Sequence, residues 1–163
     1  MKAFETIDGG VTAALGFKAA GVQAGIRAKG RLDVALLAAD KPAVVAAVYT
    51  TNKVAAAPVK LDRERTQTGR AQAVLINSGI ANACTGEQGM ADARESAKAV
   101  AAALGIDETL VLVCSTGVIG MLMPMDRLAS GAREAAKALS RDGGNDAARA
   151  IMTTDTVDKQ VAV

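Results

Sequence analysis

A threonine and a glycine that follow an apolar run are the first residues in this sequence whose types suggest chemistry. They are Thr116 and Gly117, in the stretch CSTGVIG that spans residues 114–120. A hydroxyl and a backbone N–H can together hold the negative oxygen of a reacting carbonyl, and glycine, lacking a Cβ, lets its amide approach closely. The alternative interpretation is a strand that ends in an ordinary β-turn. Because Cys114 lies within the apolar run, we interpret it as a core residue and not as a nucleophile.

Two further stretches are polar where their neighbours are apolar. NSGIANACTGEQG, residues 77–89, lies between a predicted strand and a predicted helix, where α/β folds place ligands. Its alternative interpretation is a helix-entry loop. MTTDT, residues 152–156, offers three threonines and an aspartate that could hydrogen-bond an amino-acid substrate. The same residues could instead cap a helix and begin a strand. Spacing alone leaves both choices open.

The composition excludes several classes of function. The chain has no histidine, so it cannot by itself form a Ser–His or Cys–His dyad or a histidine-ligated zinc site. We predict no metal site, and catalysis must use carboxylates, lysine, hydroxyls, backbone amides or groups from another chain. A net charge of +2, with one tyrosine, two phenylalanines and no tryptophan, argues against nucleic-acid binding.

The amino terminus lacks the apolar core of a signal peptide, and no apolar stretch reaches membrane-spanning length without a charge or a turn signal. The two cysteines, Cys84 and Cys114, lie far apart in sequence, which favours reduced thiols over a disulfide. These observations predict a cytoplasmic protein without a membrane anchor.

Hydrophobic patterning predicts four strands. They are residues 32–39, 43–50, 71–79 and 108–115. Asp40, Lys41 and Pro42 separate the first two, which predicts a β-hairpin. The glycine-punctuated segment at residues 16–31 is interpreted as irregular strands with turns.

Apolar residues at helical spacing predict three helices among these strands. The first spans residues 90–104 and ends before Gly105, a common left-handed cap residue. The second begins near Pro124 and Asp126, with Leu128 on its apolar face. The third spans residues 147–152 and follows RDGGND, residues 141–146, which we interpret as a loop. The mixture predicts a single α/β domain over residues 1–163, a mixed β-sheet layered with helices. Its alanine- and valine-rich core gains little burial per side chain, which suggests that a partner surface completes it.

Taken together, several runs resemble one family, the ornithine acetyltransferases, also called bifunctional glutamate N-acetyltransferases, of arginine biosynthesis. The matching runs are GFKAAGVQAGI, YTTNKVAAAPV, NSGIANACTGEQG, CSTGVIG, LMPMDRLASG and AIMTTDTVDKQVAV. In this family a precursor cuts itself before a threonine, which becomes the first residue of a β chain and acts as the nucleophile. This sequence resembles the α chain. The resemblance implies an N-terminal-nucleophile-like, self-processing architecture, a β-chain partner and a heterotetramer of two α and two β chains.

The resemblance also assigns roles to residues. Thr116 and Gly117 match the family's oxyanion-hole pair, and Thr153 matches a substrate-binding residue. The implied reaction is ping-pong: the threonine takes acetyl from N-acetylornithine, releases ornithine and passes the acetyl group to glutamate. No cofactor is implied, although acetyl-CoA serves some members as a co-substrate. Because an amino-terminal threonine can use its own amine as base, the missing histidine fits this chemistry.

The sequence departs from the family pattern at several positions. Ile80 stands where asparagine is expected, Cys114 where a smaller residue is common, and Asp158 where proline is frequent. Family α chains continue through a Lys-Gly-x-Gly-Met stretch to the cleavage site, whereas this sequence ends at Val163. The lysine of that stretch and the nucleophile are therefore expected outside it, and we expect no reaction from this chain alone. The alternatives are a self-processing amidohydrolase or aminopeptidase with an amino-terminal nucleophile, and a non-enzymatic amino-acid-binding or assembly module.

Overall fold

A four-stranded mixed sheet forms the centre of the protein. The structure is a computed structural model that describes residues 4–27 and 30–163. The strands are β1 (Phe17–Val22), β2 (Val34–Val44), β3 (Arg70–Ile80) and β4 (Val111–Val118), in the sheet order β1-β2-β3-β4. β2 pairs antiparallel with β1 and with β3, whereas β3 and β4 are parallel. This arrangement confirms the predicted mixed sheet.

Helices cover the two faces of this sheet unequally. They are α1 (Ala57–Arg65), α2 (Gly86–Leu104), α3 (Met125–Ala138) and α4 (Gly144–Ala150). α1, α2 and α3 pack over one face around a core that includes Leu36, Leu75 and Val113. The short α4 packs on the other face against β1 and β2, around the small side chains of Ala19 and Ala35. No helix in the described part of the chain is long and apolar enough to cross a membrane.

The two longer helices match their predicted periodicity. In α2 the buried positions include Ala93, Ala97 and Val100, and Gly105 closes the helix in the left-handed conformation at φ 67°. In α3 Leu128 is buried together with Ala132 and Ala135. The predicted ends are correct to within a residue, but α2 begins at Gly86, four residues before the apolar periodicity does.

The third predicted helix also begins earlier than expected. α4 starts at Gly144, inside the stretch that we predicted as a loop, and its last helical residue is Ala150. A Cβ on Gly143, the residue before α4, would lie 1.9 Å from the carbonyl oxygen of Ala19. The glycines that indicate a loop therefore serve to let the start of the helix lie close to β1.

The predicted hairpin is wrong. β2 continues without reversal from Val34 to Val44, and residues 45–50 form no strand. Pro42 lies where the register against β3 shifts between Ala38 and Ala43. A bulge tolerates proline because the extra residues are not paired in the ladder. Asp40, which suggested a turn, forms an ion pair with Lys18 of β1 at 3.1 Å.

The predicted fourth strand is displaced toward its carboxyl end. Residues Glu108–Leu110 form a short 3-10 turn, in which the Asp107 side chain accepts a hydrogen bond from Thr109 N at 2.8 Å. β4 then runs from Val111 to Val118. Thr116 and Gly117 therefore lie in the last residues of the strand, and not in a turn after it.

Candidate functional site

The free edge of β4 presents the backbone of Gly117 to solvent. β4 is the last strand of the sheet, and Ala81 N donates to the Val118 carbonyl at 2.9 Å, so the backbone of Val118 faces the β3 side. Backbone groups of successive strand residues point in alternate directions. The N–H of Gly117 therefore points toward the free edge, where the residue is exposed.

The first half of the same edge is covered by α1. The Asp62 carboxylate accepts a hydrogen bond from Val113 N at 3.0 Å, and the buried Arg65 guanidinium donates to the Val111 carbonyl. Burial raises the pKa of Asp62 from 3.8 to about 6, although the Val113 hydrogen bond and the charge of Arg65 oppose that rise. Helix α1 thus provides hydrogen-bond partners for backbone groups at the start of the β4 edge. These hydrogen bonds do not extend to Gly117.

Thr116 points to the sheet face on which α4 lies. It is in parallel register with Ser78 of β3, so the two side chains emerge on the same face. Ser78 is fully buried, and its hydroxyl donates to the carbonyl of Ala150, the last residue of α4, at 2.7 Å. The half-buried Thr116 therefore lies beside Ser78, the residue of β3 that contacts the end of α4.

Thr153 follows the end of α4. Its N–H donates to the Asp155 carboxylate at 3.4 Å, and its carbonyl accepts a hydrogen bond from Arg27 Nη2 at 3.0 Å. Arg27 Nη1 also lies 3.5 Å from the Ser78 hydroxyl. The structure thus brings the segments of Thr116 and Thr153 together through Ser78 and Arg27. Among the described residues, neither threonine hydroxyl hydrogen-bonds to another protein group.

An open cleft lies beside Thr153. It has a volume of about 760 Å³ and is rich in arginine and threonine side chains. Its lining includes Arg27, Arg31, Arg149, Thr153, Thr154 and Asp155. Lys159 Nζ lies 2.6 Å from the Asp155 carboxylate, and this hydrogen bond holds the pKa of Asp155 below its ordinary value. With that carboxylate paired, three arginines dominate the charge of the cleft, which suits a ligand that carries a carboxylate.

The stretch at residues 77–89 has a structural explanation. Asn77 Nδ2 donates to the Ile80 carbonyl at 2.8 Å, and Asn82 Nδ2 donates to the Gly89 carbonyl at 2.8 Å. Thr85 donates its hydroxyl to Asn82 Oδ1 at 2.7 Å. These buried amides shape the entry into α2, which agrees with the helix-entry interpretation of this stretch.

Cys114 is not in the core. It lies on the same sheet face as Thr116 and is exposed, because α4 packs mainly against β1 and β2 on that face and reaches β3 through Ser78. Loss of hydration, with the charge of Asp62 as a second cause, raises the pKa of the thiol to about 11. A thiol with this pKa is protonated near neutral pH, so the expectation that Cys114 is not a nucleophile agrees with the structure. Both cysteines are free, and the described residues contain no cluster of acidic and cysteine side chains that could hold a metal.

The sequence pattern missed the arginines of the cleft. Arg27 and Arg31 lie in the segment interpreted as irregular strands with turns, and Arg149 lies on α4. Arg27 and Arg31 are distant in sequence from Thr153, and Arg149 lies in a helix. No local motif therefore identifies these arginines as part of the cleft. Ser78 lies within the polar stretch at residues 77–89. Its neighbours in sequence gave no indication that it contacts the end of α4.

Comparison with known proteins decides the family. The model of the ArgJ family matches residues 18–163. The chain belongs to the ArgJ family. This finding confirms the resemblance inferred from the motifs.

Individual ArgJ proteins are similar over almost the whole chain. The arginine biosynthesis bifunctional protein ArgJ of Symbiobacterium thermophilum is 61% identical over 97% of this chain. The protein of the same name from Caldanaerobacter subterraneus is 54% identical over 98% of it. The chain spans only 40% and 39% of the lengths of these two relatives.

Solved structures of the family have the same fold. The structure of ornithine acetyltransferase from Mycobacterium tuberculosis, complexed with ornithine, matches with a TM-score of 0.90 at 50% identity. The match covers 93% of this chain and 83% of that one. ArgJ from Bacillus halodurans matches with a TM-score of 0.89 at 42% identity, over 96% of this chain and 83% of that one. The α/β fold of this chain is therefore the fold found in ArgJ structures.

Proposed function

We propose that this chain is the α segment of an ornithine acetyltransferase that moves acetyl from N-acetylornithine to glutamate. The relatives are named bifunctional arginine biosynthesis proteins, and one similar structure is an ornithine acetyltransferase with ornithine bound. The match to less than half of each relative's length supports an origin in a longer precursor. The nucleophile is then a threonine at the amino terminus of a partner β chain.

Thr116 and Gly117 supply the oxyanion hole in this proposal. The partner threonine attacks the acetyl carbonyl, and the carbonyl oxygen becomes negative. The exposed Gly117 N–H and the Thr116 hydroxyl stabilise that oxygen. The C–N bond then breaks, ornithine leaves with a proton on its amine, and an acetyl ester remains on the threonine. The amine of glutamate attacks the ester and regenerates the hydroxyl. The single observation that carries this role is the orientation of Gly117 toward the free edge of β4.

Thr153 and the adjoining cleft bind the amino-acid part of the substrate. The Thr153 hydroxyl, without a partner among the described residues, is available as a hydrogen-bond group. The positive charge of the cleft favours the α-carboxylate that N-acetylornithine and glutamate share. One carboxylate subsite that serves donor and acceptor in turn fits a ping-pong reaction.

The β chain covers the part of the sheet that α4 leaves open. Cys114 and Val118 are exposed on this part of the face. Ile119, Met121 and Leu122, which follow β4, are exposed by 64%, 50% and 59%. Such a concentration of exposed apolar side chains is typical of an interaction surface. We place two α and two β chains in the assembly, with acetyl-CoA as an optional co-substrate, and the cytoplasmic location stays a prediction.

Expression of the complete precursor tests the proposal. Intact mass and amino-terminal sequencing of the purified protein are expected to reveal this chain with a second chain that begins with threonine. Mass spectrometry then follows labelled acetyl from N-acetylornithine to glutamate, with a reaction lacking glutamate as control. A well-folded monomer of this polypeptide alone, or release of acetate in place of transfer, would contradict the proposal. The second outcome would favour the amidohydrolase alternative.

A further inference from the structure

Arg27 crosses the end of β3 from a loop whose residues Ala24 and Arg27 hydrogen-bond to Asp33. The fully buried Asp33 accepts hydrogen bonds from Ala24 N at 2.6 Å and from Arg27 N at 2.8 Å, and these bonds fix the loop that follows β1. The side chain of Arg27 then passes over Gly79, where a Cβ would lie 2.8 Å from Arg27 Cγ. The absence of a side chain at Gly79 leaves the space that the arginine occupies.

The guanidinium of Arg27 binds backbone carbonyls of the Thr153 segment. It donates to the Met152 carbonyl through Nη1 and to the Thr153 carbonyl through Nη2, the latter at 3.0 Å. Nη1 also lies 3.5 Å from the Ser78 hydroxyl. A planar guanidinium fixes the relative position of two acceptors better than an ammonium group does, because its donors have a rigid geometry.

Little else restrains this segment. α4 ends at Ala150, and residues 152–156 form no helix or strand. The carbonyls just beyond a helix carry partial negative charge, so a cation is favoured there. Among the described residues, the one hydrogen-bond partner of the Thr153 backbone besides Arg27 is Asp155 of the same segment, at 3.4 Å. The hydrogen bond from Ser78 to Ala150 ties the end of α4 to β3, and Arg27 extends this link to Met152 and Thr153.

We infer that Arg27 is a positioning residue. It fixes the position of the Thr153 segment relative to Thr116, and Ser78 lies between the two. This inference rests on the proposed function, because it gives Thr153 its place beside the acetyl group. Arg27 acts through the Thr153 backbone and not as a ligand of the substrate. Its Nη1 and Nη2 donors are directed at the carbonyls of Met152 and Thr153, while its positive charge still contributes to the cleft.

Four variants of the complete, processed enzyme test this role: Arg27→Ala, Arg27→Lys, Thr153→Ala and the double variant. Arg27→Ala is expected to lower kcat/KM about 10-fold, mainly through KM, because the Thr153 segment moves. Adding Thr153→Ala to it is expected to cause no further loss, since both changes remove the same interaction. Arg27→Lys is expected to recover part of the lost kcat/KM. Multiplicative losses in the double variant would overturn the inference.

Arg127→Ala is the matched control. Arg127 of α3 donates to the carbonyl of Gly25, in the same loop as Arg27, at 2.6 Å, but it forms no hydrogen bond to residues 152–156 among the described residues. We expect wild-type kcat/KM from this variant, and equal losses in Arg27→Ala and Arg127→Ala would overturn the inference.

Hydrogen exchange separates this inference from the proposed function. In Arg27→Ala the amides of residues 152–156 are expected to exchange faster than in wild type or Arg127→Ala. Unchanged exchange would overturn the positioning role whatever the activity. If the wild-type enzyme transfers no acetyl, the proposed function fails, and the exchange rates still decide whether Arg27 positions the segment.

Discussion

The backbone of Gly117 lies directly against that of Gly79. The two residues are in register in the parallel pairing of β3 and β4. A Cβ on Gly117 would lie 2.2 Å from the carbonyl carbon of Gly79 and 2.6 Å from Ile80 N, and Gly117 has a φ of 136°. Close approach and an unusual backbone conformation therefore both require glycine here.

Gly117→Ala is expected to destabilise the enzyme by about 2–6 kcal/mol, because backbone strain and a clash with β3 add together. Gly120→Ala is the matched control: Gly120 also has a positive φ, 81°, but a Cβ there would meet nothing within 4 Å. Thermal unfolding of both variants measures the difference. Equal losses of stability would show that conformation alone, without the close approach to Gly79, requires glycine at residue 117.

Thr116→Ala is expected to raise the barrier to acetyl transfer by about 2–4 kcal/mol, since one oxyanion donor is lost. Stability should hardly change, because the Thr116 hydroxyl has no partner among the described residues. Thr116→Ser keeps the hydroxyl and serves as the control. Steady-state kinetics with N-acetylornithine and glutamate measures the effect, and full activity of Thr116→Ala would remove the residue from the oxyanion hole.

Thr153→Ala is expected to raise KM for N-acetylornithine about 3–10-fold, the usual effect of losing one neutral hydrogen bond. Thr153→Ser should retain most of the affinity, because it keeps the hydroxyl and loses only a methyl group. The kinetic assay used for Thr116 gives both constants. A KM unchanged in Thr153→Ala would show that the hydroxyl does not bind the substrate.

Asp62→Asn is expected to make stability less dependent on pH. Burial raises the pKa of Asp62 from 3.8 in the unfolded chain to about 6 in the folded one. As the pH rises through this interval, the unfolded state loses its proton first, so wild-type stability falls between about pH 4 and pH 6 and then levels off. The full pKa difference corresponds to about 3 kcal/mol. Asparagine has no proton to lose there and can still accept the hydrogen bond from Val113 N.

Thermal unfolding of the two proteins at pH 4 and pH 7.5 measures this effect. The variant should be the more stable of the two at pH 7.5, and its advantage should shrink at pH 4. Asp107→Asn offers a contrast, because the hydrogen bonds from Thr109 lower the pKa of Asp107. A wild-type enzyme that gains stability relative to Asp62→Asn as the pH rises would contradict the raised pKa.

Local patterns were sufficient where the structure depends on neighbours in sequence. Apolar residues at helical spacing predicted α3, and Gly105 marked the end of α2, since helical periodicity and a left-handed cap are properties of a few consecutive residues. The predicted hairpin was wrong because β3 pairs antiparallel with β2 on both sides of Pro42, and β1 pairs with the part of β2 before it. Pairing with distant strands outweighs the local preference of Asp40 and Pro42 for a turn.

The sequence also did not predict which side chains within one apolar run are exposed. Val113 and Cys114 are adjacent and both follow apolar residues, yet Val113 is buried under the three helices and Cys114 is exposed on the opposite face. The difference depends on α4, which reaches β1 and β2 and leaves β4 uncovered. A strand pattern can state which residues share a face, but not whether a helix covers that face.

The sequence by itself determined the chemical groups: a hydroxyl and a glycine amide at Thr116 and Gly117, a second hydroxyl at Thr153, and no histidine for a dyad. It also determined the family, because long unusual runs identify it. Only the tertiary structure decided which of their segments lie near one another. A parallel pairing places Thr116 beside Ser78, and Arg27 joins Ser78 to the segment of Thr153. Strand register and long-range hydrogen bonds depend on how the whole chain packs, so no stretch of neighbouring residues encodes them.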